Sequence, residues 1–237
     1  YYVGIDIGGM TVKGIVLDEK GAALCEDCAV TGSERGGDFM CDIIAELVNS
    51  MLKKCGVDKK DVSIGVGCPG VIDSENGVLV FSGNLSLRDY PLAKKLRERI
   101  GVSVKITNDA NAAALGEAKF GAGKNYKNSI LVTLGTGVGG GIVIDGKLFE
   151  GYKSAGAEIG HMVIERHGDV CTCGRRGCFE AYCSATALVR RTRRQMEDNP
   201  RSAMWTKYTS ETANGKTAFD FYHDDIDAKE VVDWYIK

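Results

Sequence analysis

Asp6, Thr11 and Lys13 surround a pair of glycines in "DIGGMTVKG". An acid ends an apolar run, the chain turns through Gly8 and Gly9, and a hydroxyl and a cation follow. Glycine tolerates positive φ, and with no Cβ it lets backbone N–H groups approach a phosphate. Acid, hydroxyl and ammonium around such a turn suit a magnesium–nucleotide complex, although a plain β-hairpin turn would use the same glycines. The pattern recurs 127 residues later, pairing Gly8 with Gly135, Gly14 with Gly141, Val16 with Val143 and Asp18 with Asp145. The second turn, "GTGVGGG", includes Gly135, Thr136, Gly137 and Gly139. Each glycine there weakens a strand by roughly 0.5–1 kcal/mol against alanine, so something must offset that loss. Two such turns facing each other across a cleft would clamp phosphates. Neither has the GxxxxGK[ST] spacing or the strand-to-helix GxGxxG of the common nucleotide motifs.

A second chemical group lies in "HMVIERHGDVCTCGRRGCFE", residues 161–180. Cys171, Cys173 and Cys178 with one upstream histidine make a Cys3His set, the donor chemistry of a closed tetrahedral Zn²⁺ site, which is structural rather than catalytic. His161 is the expected fourth ligand. His167 stands nearer Cys171, and Cys183 lies one turn further on. The third group is polar. Asn108 and Asp109 open an alanine-rich segment, where an acid is favoured at a helix N-terminus by roughly 0.3–1 kcal/mol. Glu158 precedes His161 by three residues, and Glu180 follows Cys178 by two. Carboxylates and amides on a rigid metal loop suit a polyhydroxyl ligand, and a solvated acidic surface would look the same in sequence.

These groups need elements to hold them. Val3–Ile7, Val12–Leu17 and Ala22–Val30 read as strands joined by glycine turns. Phe39–Lys54 has apolar residues at helical spacing, and Val62–Val66 is a strand ending in "GCPG". Pro91 suits the first position of a helix over Leu92–Ile100, Val102–Ile106 is another strand, and Asn108 caps a helix over Asp109–Phe120. A strand–glycine–strand unit then restarts at Ser129. Strands followed by alternating helices and strands, twice over, predict α/β lobes. The boundary is expected near Asn108, giving lobes 1–108 and 109–237, the second with a metal loop at 161–180. The segment 226–237 reads as a helix with no terminator, so the second lobe is expected to be truncated.

The 237 residues and a net charge of −2 give no electrostatic argument for nucleic acid or an anionic membrane. "RRTRR" at 190–194 is the only basic cluster and is expected on the solvated face of a helix. No apolar run spans a bilayer and no secretory pattern opens the chain, so a cytoplasmic location is expected. Nine cysteines, an odd count, then argue against disulfides, and the five of the first lobe (Cys25, Cys28, Cys41, Cys55 and Cys68) are read as reduced thiols, the Cys25/Cys28 CxxC included.

The motifs "GIDIGGMTVKG", "GVGCPGVID", "FSGNL", "NDANAAALGE", "LGTGVGGGIV", "AGAEIGH" and "CTCGRRGCFEAYCSAT" together resemble the ROK sugar kinases and repressors. That resemblance covers nearly the whole chain. It implies duplicated actin-like (ribonuclease H-like) ATPase lobes and phosphorylation of a hexose by ATP with Mg²⁺, glucose first among candidates. N-acetylmannosamine, N-acetylglucosamine, allose and fructose kinases use similar motifs. Asp109 is implied as general base. Gly70, Asn84, Asn108, Glu158, His161 and Glu180 are implied as sugar contacts. Asp6, Gly8, Gly9, Thr11 and Lys13 with Gly135, Thr136, Gly137 and Gly139 are implied at the nucleotide. His161 would serve both zinc and sugar, and a homo-oligomer, dimer or tetramer, is implied. The first turn departs from the family's Gly-Gly-Thr by placing Met10 before Thr11. The repressor branch, a sugar-sensing alternative, carries an N-terminal winged helix-turn-helix, and the chain's opening directly on a strand argues for the kinases.

Overall fold

The computed structural model describes residues 1–236. Alternation builds its first sheet. Val3, Ile5 and Ile7 of β1 (Tyr2–Ile7) and Val12 and Val16 of β2 (Thr11–Leu17) enter one core, and β3 (Ala23–Val30) follows antiparallel on the outer edge of β2. The helix expected over Phe39–Lys54 is α1 (Gly37–Cys55), closed by Gly56 in the left-handed region at φ 65°, whose N–H reaches the Leu52 and Lys53 carbonyls. α1 buries Met40, Ile44, Val48 and Met51 completely. Each such side chain contributes about 1.5–3 kcal/mol of transfer free energy.

β4 (Ser63–Cys68) pairs parallel with β1. A small antiparallel sheet follows, formed by β5 (Val71–Asp73), β6 (Val78–Ser82) and β7 (Leu87–Tyr90). Sequence reading missed it because its strands are short and broken by polar turn residues 74–77. α2 (Leu92–Ile100) starts just after Pro91, whose carbonyl accepts from Lys95 N–H at 3.0 Å. Pro91 is therefore the cap, one position earlier than expected. β8 (Val104–Asn108) completes the large sheet in the order β3-β2-β1-β4-β8. α3 (Asp109–Phe120) begins directly at its end, with Asn108 Oδ1 accepting from Asn111 N–H.

β9 (Ser129–Leu134), β10 (Val138–Ile144) and β11 (Lys147–Leu148) form a third sheet in the order β11-β10-β9. Shifting β1 by 127 lands on β9 end to end, and the same shift carries β2 onto β10. The helices α4 (Glu180–Cys183), α5 (Ala185–Asp198), α6 (Thr217–Asp220) and α7 (Ile226–Ile236) complete the chain. Lys237, the last residue of the expected terminal helix, lies outside the described residues. "RRTRR" sits on α5, where Thr192 is buried while Arg190, Arg193 and Arg194 are exposed.

Two compact units result: 1–131 with 141–157, and 132–140 with everything from Glu158 onward. The boundary expected near Asn108 lies inside the first unit. The small residues Ala110 and Ala114 let α3 pack closely there, and a Cβ at Gly141 of β10 would collide with Ala114.

Candidate active site and metal centre

In the first unit the parallel register aligns Asp6 of β1, Gly67 of β4 and Thr107 of β8 in one row. Gly67 leaves that row open at its centre, and the start of α3 fills the space. A Cβ at position 67 would already touch the Asp109 Cα at 3.5 Å. Asp6 and Asp109 thus become neighbours. Loss of solvent around the Asp6 carboxyl raises its pKa, the Asp109 charge adds to the rise, and Lys13, its cross-strand partner, opposes it. Asp109 itself is solvent-facing, and one carboxylate oxygen accepts from Ala110 N–H at 2.8 Å.

The first glycine turn closes with Gly8 N–H donating to the Thr11 carbonyl at 2.9 Å. Two further donors fix its carbonyls: Thr31 Oγ1 on Gly8 at 2.7 Å and Ser33 Oγ on Gly9 at 3.3 Å. Met10, the departure from the family pattern, points into solvent with 84% of its surface exposed. A Cβ at Gly9 would lie 3.9 Å from the Asn84 carbonyl, which places the "SGN" segment beside the turn. Asn108 works in two directions. Its oxygen caps α3, and its Nδ2 donates to the Gly70 carbonyl at 3.1 Å, leaving one donor to spend. Gly70 is at φ 111°, and a side chain there would also meet the Phe81 carbonyl. Sequence reading missed three oxygens around this place. Ser82 Oγ, Thr107 Oγ1 and Asn111 Oδ1 are buried with no hydrogen-bond partner among the described residues. Nothing in a lone polar residue's sequence context marks it as buried and unspent.

In the second unit the metal-type donors come together as the spacing predicted. His161, Cys171, Cys173 and Cys178 place their ligand atoms within 4.8 Å of one another, and neither His167 nor Cys183 joins the group. Cys171 Sγ lies 3.6 Å from His161 Nδ1, and Cys173 Sγ lies 3.7 Å from Cys178 Sγ. Tetrahedral zinc with sulfur at about 2.3 Å sets adjacent sulfurs roughly 3.8 Å apart, so the set fits that ion. Hydrogen bonding from the Arg175 backbone lowers the Cys173 thiol to about 6, while burial pushes Cys178 up to about 11. Two glycines permit the loop. Gly177 is at φ 76° with the Glu165 carbonyl where a side chain would go, and Gly174 is at φ 85°.

Glu180 joins this loop to the second glycine turn. Its Oε1 accepts from Thr172 Oγ1 at 2.8 Å and its Oε2 from Val138 N–H at 3.0 Å. A Cβ at Gly137 would sit 2.5 Å from Oε2. Two glycines of "GTGVGGG" are therefore explained by close contacts of different kinds: Gly137 admits a carboxylate and Gly141 admits a helix. The turn closes from Gly135 N–H to the Gly137 carbonyl at 2.9 Å. The start of α5, unremarked in the sequence, grips it. Ala185 N–H donates to the Gly135 carbonyl at 2.8 Å and Thr186 Oγ1 to the Thr136 carbonyl at 2.7 Å, with Ser184 as the cap. A helix N-terminus beside a glycine turn favours an anion. Glu158 is exposed, and its carbonyl accepts from His161 N–H at 3.1 Å.

Known proteins are similar to this chain in sequence and in fold. The chain is 41% identical over 192 residues to a glucokinase of Halalkalibacterium halodurans, covering 80% of this chain and 58% of that protein. It is 37% identical over 194 residues to the xylose repressor of Bacillus subtilis, covering 80% of this chain and 49% of the repressor. The chain thus spans about half to three fifths of the length of these two relatives. Among solved structures, a ROK family glucokinase from Streptomyces griseus in complex with glucose and AMPPNP superposes with a TM-score of 0.82 at 33% identity, covering 99% of this chain and 75% of that one. The paired glycine hairpins, the asparagine-capped α3 and the Cys3His loop are thus parts of an actin-like ATPase fold, and the match extends from residue 2 to residue 236: the chain belongs to the ROK family.

Proposed function

We propose that the chain carries the working parts of an ATP-dependent hexose kinase, with glucose as the sugar. The position of Asp109 carries this reading. It is a solvent-facing carboxylate at the first position of α3, seated over Gly67 beside Asp6 and next to the committed amide of Asn108. So held, it accepts the proton of a sugar hydroxyl lying about 2.6–3.2 Å away as that oxygen attacks the γ-phosphorus of ATP. The identity to a glucokinase and the superposition on one holding glucose and AMPPNP support the choice of reaction.

Gly70, Asn84 and Asn108 hold sugar hydroxyls in this reading, and Glu158, His161 and Glu180 take others. The turns at Gly8–Thr11 and Gly135–Gly139 receive the phosphates, with Lys13 adding positive charge. The crowded Asp6 fits a divalent-cation ligand, since an approaching cation relieves the repulsion from Asp109. Mg²⁺ held there supplies charge neutralisation for the transferred phosphoryl group. Zn²⁺ held by His161, Cys171, Cys173 and Cys178 supplies a fixed loop, which orients the His161 ring and the Glu180 carboxylate. The transition state is loose, so positioning and charge do most of the work.

The similarity to xylose repressors favours one second reading, sugar binding without phosphoryl transfer. A coupled ADP-release assay across glucose, fructose, allose, N-acetylglucosamine and N-acetylmannosamine decides between them. Sugar-dependent ADP release, largest for glucose, is expected. Calorimetric sugar binding with no ADP release from any of the five would overturn the kinase reading in favour of the sensor.

A further inference from the structure

Five of the nine cysteines lie in the first unit, outside the metal loop. The sequence offered Cys25 and Cys28 as a pair, but they lie three residues apart on β3, and an odd separation on a strand puts side chains on opposite faces. The fold brings a different partner. Cys55, the last residue of α1, lies 3.0 Å from Cys25, sulfur to sulfur, its thiol donating to the Cys25 sulfur. Both residues are half-buried, so a small reagent can reach them. The Lys54–Asp27 ion pair at 2.5 Å holds the same helix end to the same strand. Only about 1 Å of approach separates the two sulfurs from the 2.03–2.05 Å of a disulfide.

We propose that Cys25 and Cys55 form a redox-responsive thiol pair, which closes to an intramolecular disulfide by exchange with a small-molecule disulfide of the glutathione type. One cysteine thiolate attacks the oxidised glutathione, forming a mixed disulfide and releasing one glutathione thiol. The second cysteine then attacks the protein sulfur of that mixed disulfide and releases the other. Two protein S–H bonds are lost, one S–S bond forms, and oxidised glutathione is reduced to two thiols. The bond staples the C-terminus of α1 to the edge strand β3, joining residues 30 apart in sequence. Burial and the Cys55 contact push the Cys25 thiol up to about 11, so exchange calls for hours at mildly alkaline pH. The proposal stands apart from the kinase reading, and its test reads no activity.

The test incubates the zinc-loaded protein at pH 8 with oxidised glutathione, then alkylates it, digests it and maps the linked peptides under non-reducing conditions. Tryptic cleavage leaves Cys25 and Cys28 on one peptide, so Cys28→Ser is run alongside. The expected result is a Cys25–Cys55 link, unchanged in Cys28→Ser and absent in Cys55→Ser. The linked form should melt roughly 5–10 °C higher, and dithiothreitol should reverse the shift. A glutathione adduct left on Cys25 or Cys55, a link running through Cys28, or both thiols remaining free after the incubation would overturn the proposal. If Cys55→Ser fails to fold, the wild-type peptide map decides alone.

Discussion

At the residue scale, Asp109 and Asp6 carry opposite expectations. Asp109→Asn keeps the cap of α3, because Asn108 supplies it, yet removes the proton acceptor. Calorimetric glucose affinity should survive while turnover falls at least ~10²-fold, and near-normal turnover would remove Asp109 from the role of base. Asp6 has a raised pKa, so the native state favours its protonated form more than the unfolded state does. Its stabilising contribution is therefore present below the ordinary carboxylate pKa and lost as pH rises through the raised value. Asp6→Asn should raise the melting temperature at pH 7, leave it nearly unchanged at pH 3, and still abolish most Mg²⁺-dependent phosphoryl transfer. A lower melting temperature at pH 7 would count against the crowding argument. Asp109 read alone as a helix-start acid and took its expected role from the family resemblance, while the three cysteines of the candidate metal set were legible because their type is chemically narrow. Thr107, Asn111 and Ser82 were not, because burial without a partner depends on what surrounds them in three dimensions.

At the element scale, strands and helices were legible where periodicity was long and illegible where it was short. α1 buries an apolar face over many residues and declares itself, whereas β5 to β7 hold three to five residues each and borrow their stability from each other. Those short strands nonetheless position Gly70 and Asn84. The Cys3His loop belongs to this scale too. It has few buried apolar residues of its own, Cys171, Cys178 and Ala181 forming its small cluster, so ligation should account for much of its order. Cys173→Ser should disorder the loop and weaken glucose binding, and a zinc-indicator dye should detect about one ion per chain released from the wild type and less from the variant. Full glucose affinity in metal-free protein would break the link between loop and sugar. Gly137→Ala should act on the same joint, since the new methyl meets the Glu180 carboxylate. The carboxylate end can swing aside at the expense of its hydrogen bond from Val138 N–H, so a loss of roughly 0.5–1.5 kcal/mol in chemical denaturation is expected.

At the scale of the whole molecule, the chain holds separate cores. One gathers around β1, β2, β4 and α1, and another around Leu188, Met196, Met204, Val231 and Val232. A chelator should therefore strip hydrogen-exchange protection from residues 161–183 while leaving β1 and β4 as protected as before; equal loss in both places would show that the metal supports the entire chain. The internal repeat was visible as a 127-residue offset between glycines, and the strands obey it end to end, because a hairpin's glycine turn and its flanking alternation are local properties of the chain. The repeat is not complete in pairing. β1 has β4 alongside it, while no strand among the described residues pairs with the outer edge of β9. Separately, one face of β9 stands uncovered, with Ile130, Val132 and Leu134 exposed at every second position. The sequence by itself determined the glycine hairpins, the main helices and the cap of α3, all governed by neighbours within a few positions, and it offered three cysteines with a choice of fourth donor for the candidate metal loop. Only the tertiary structure decided that Gly67 seats Asp109 beside Asp6, that Glu180 links the metal loop to a glycine turn, and that Cys25 meets Cys55 rather than Cys28. Such meetings depend on strand register and helix packing, which join residues far apart along the chain and leave no periodic trace in it.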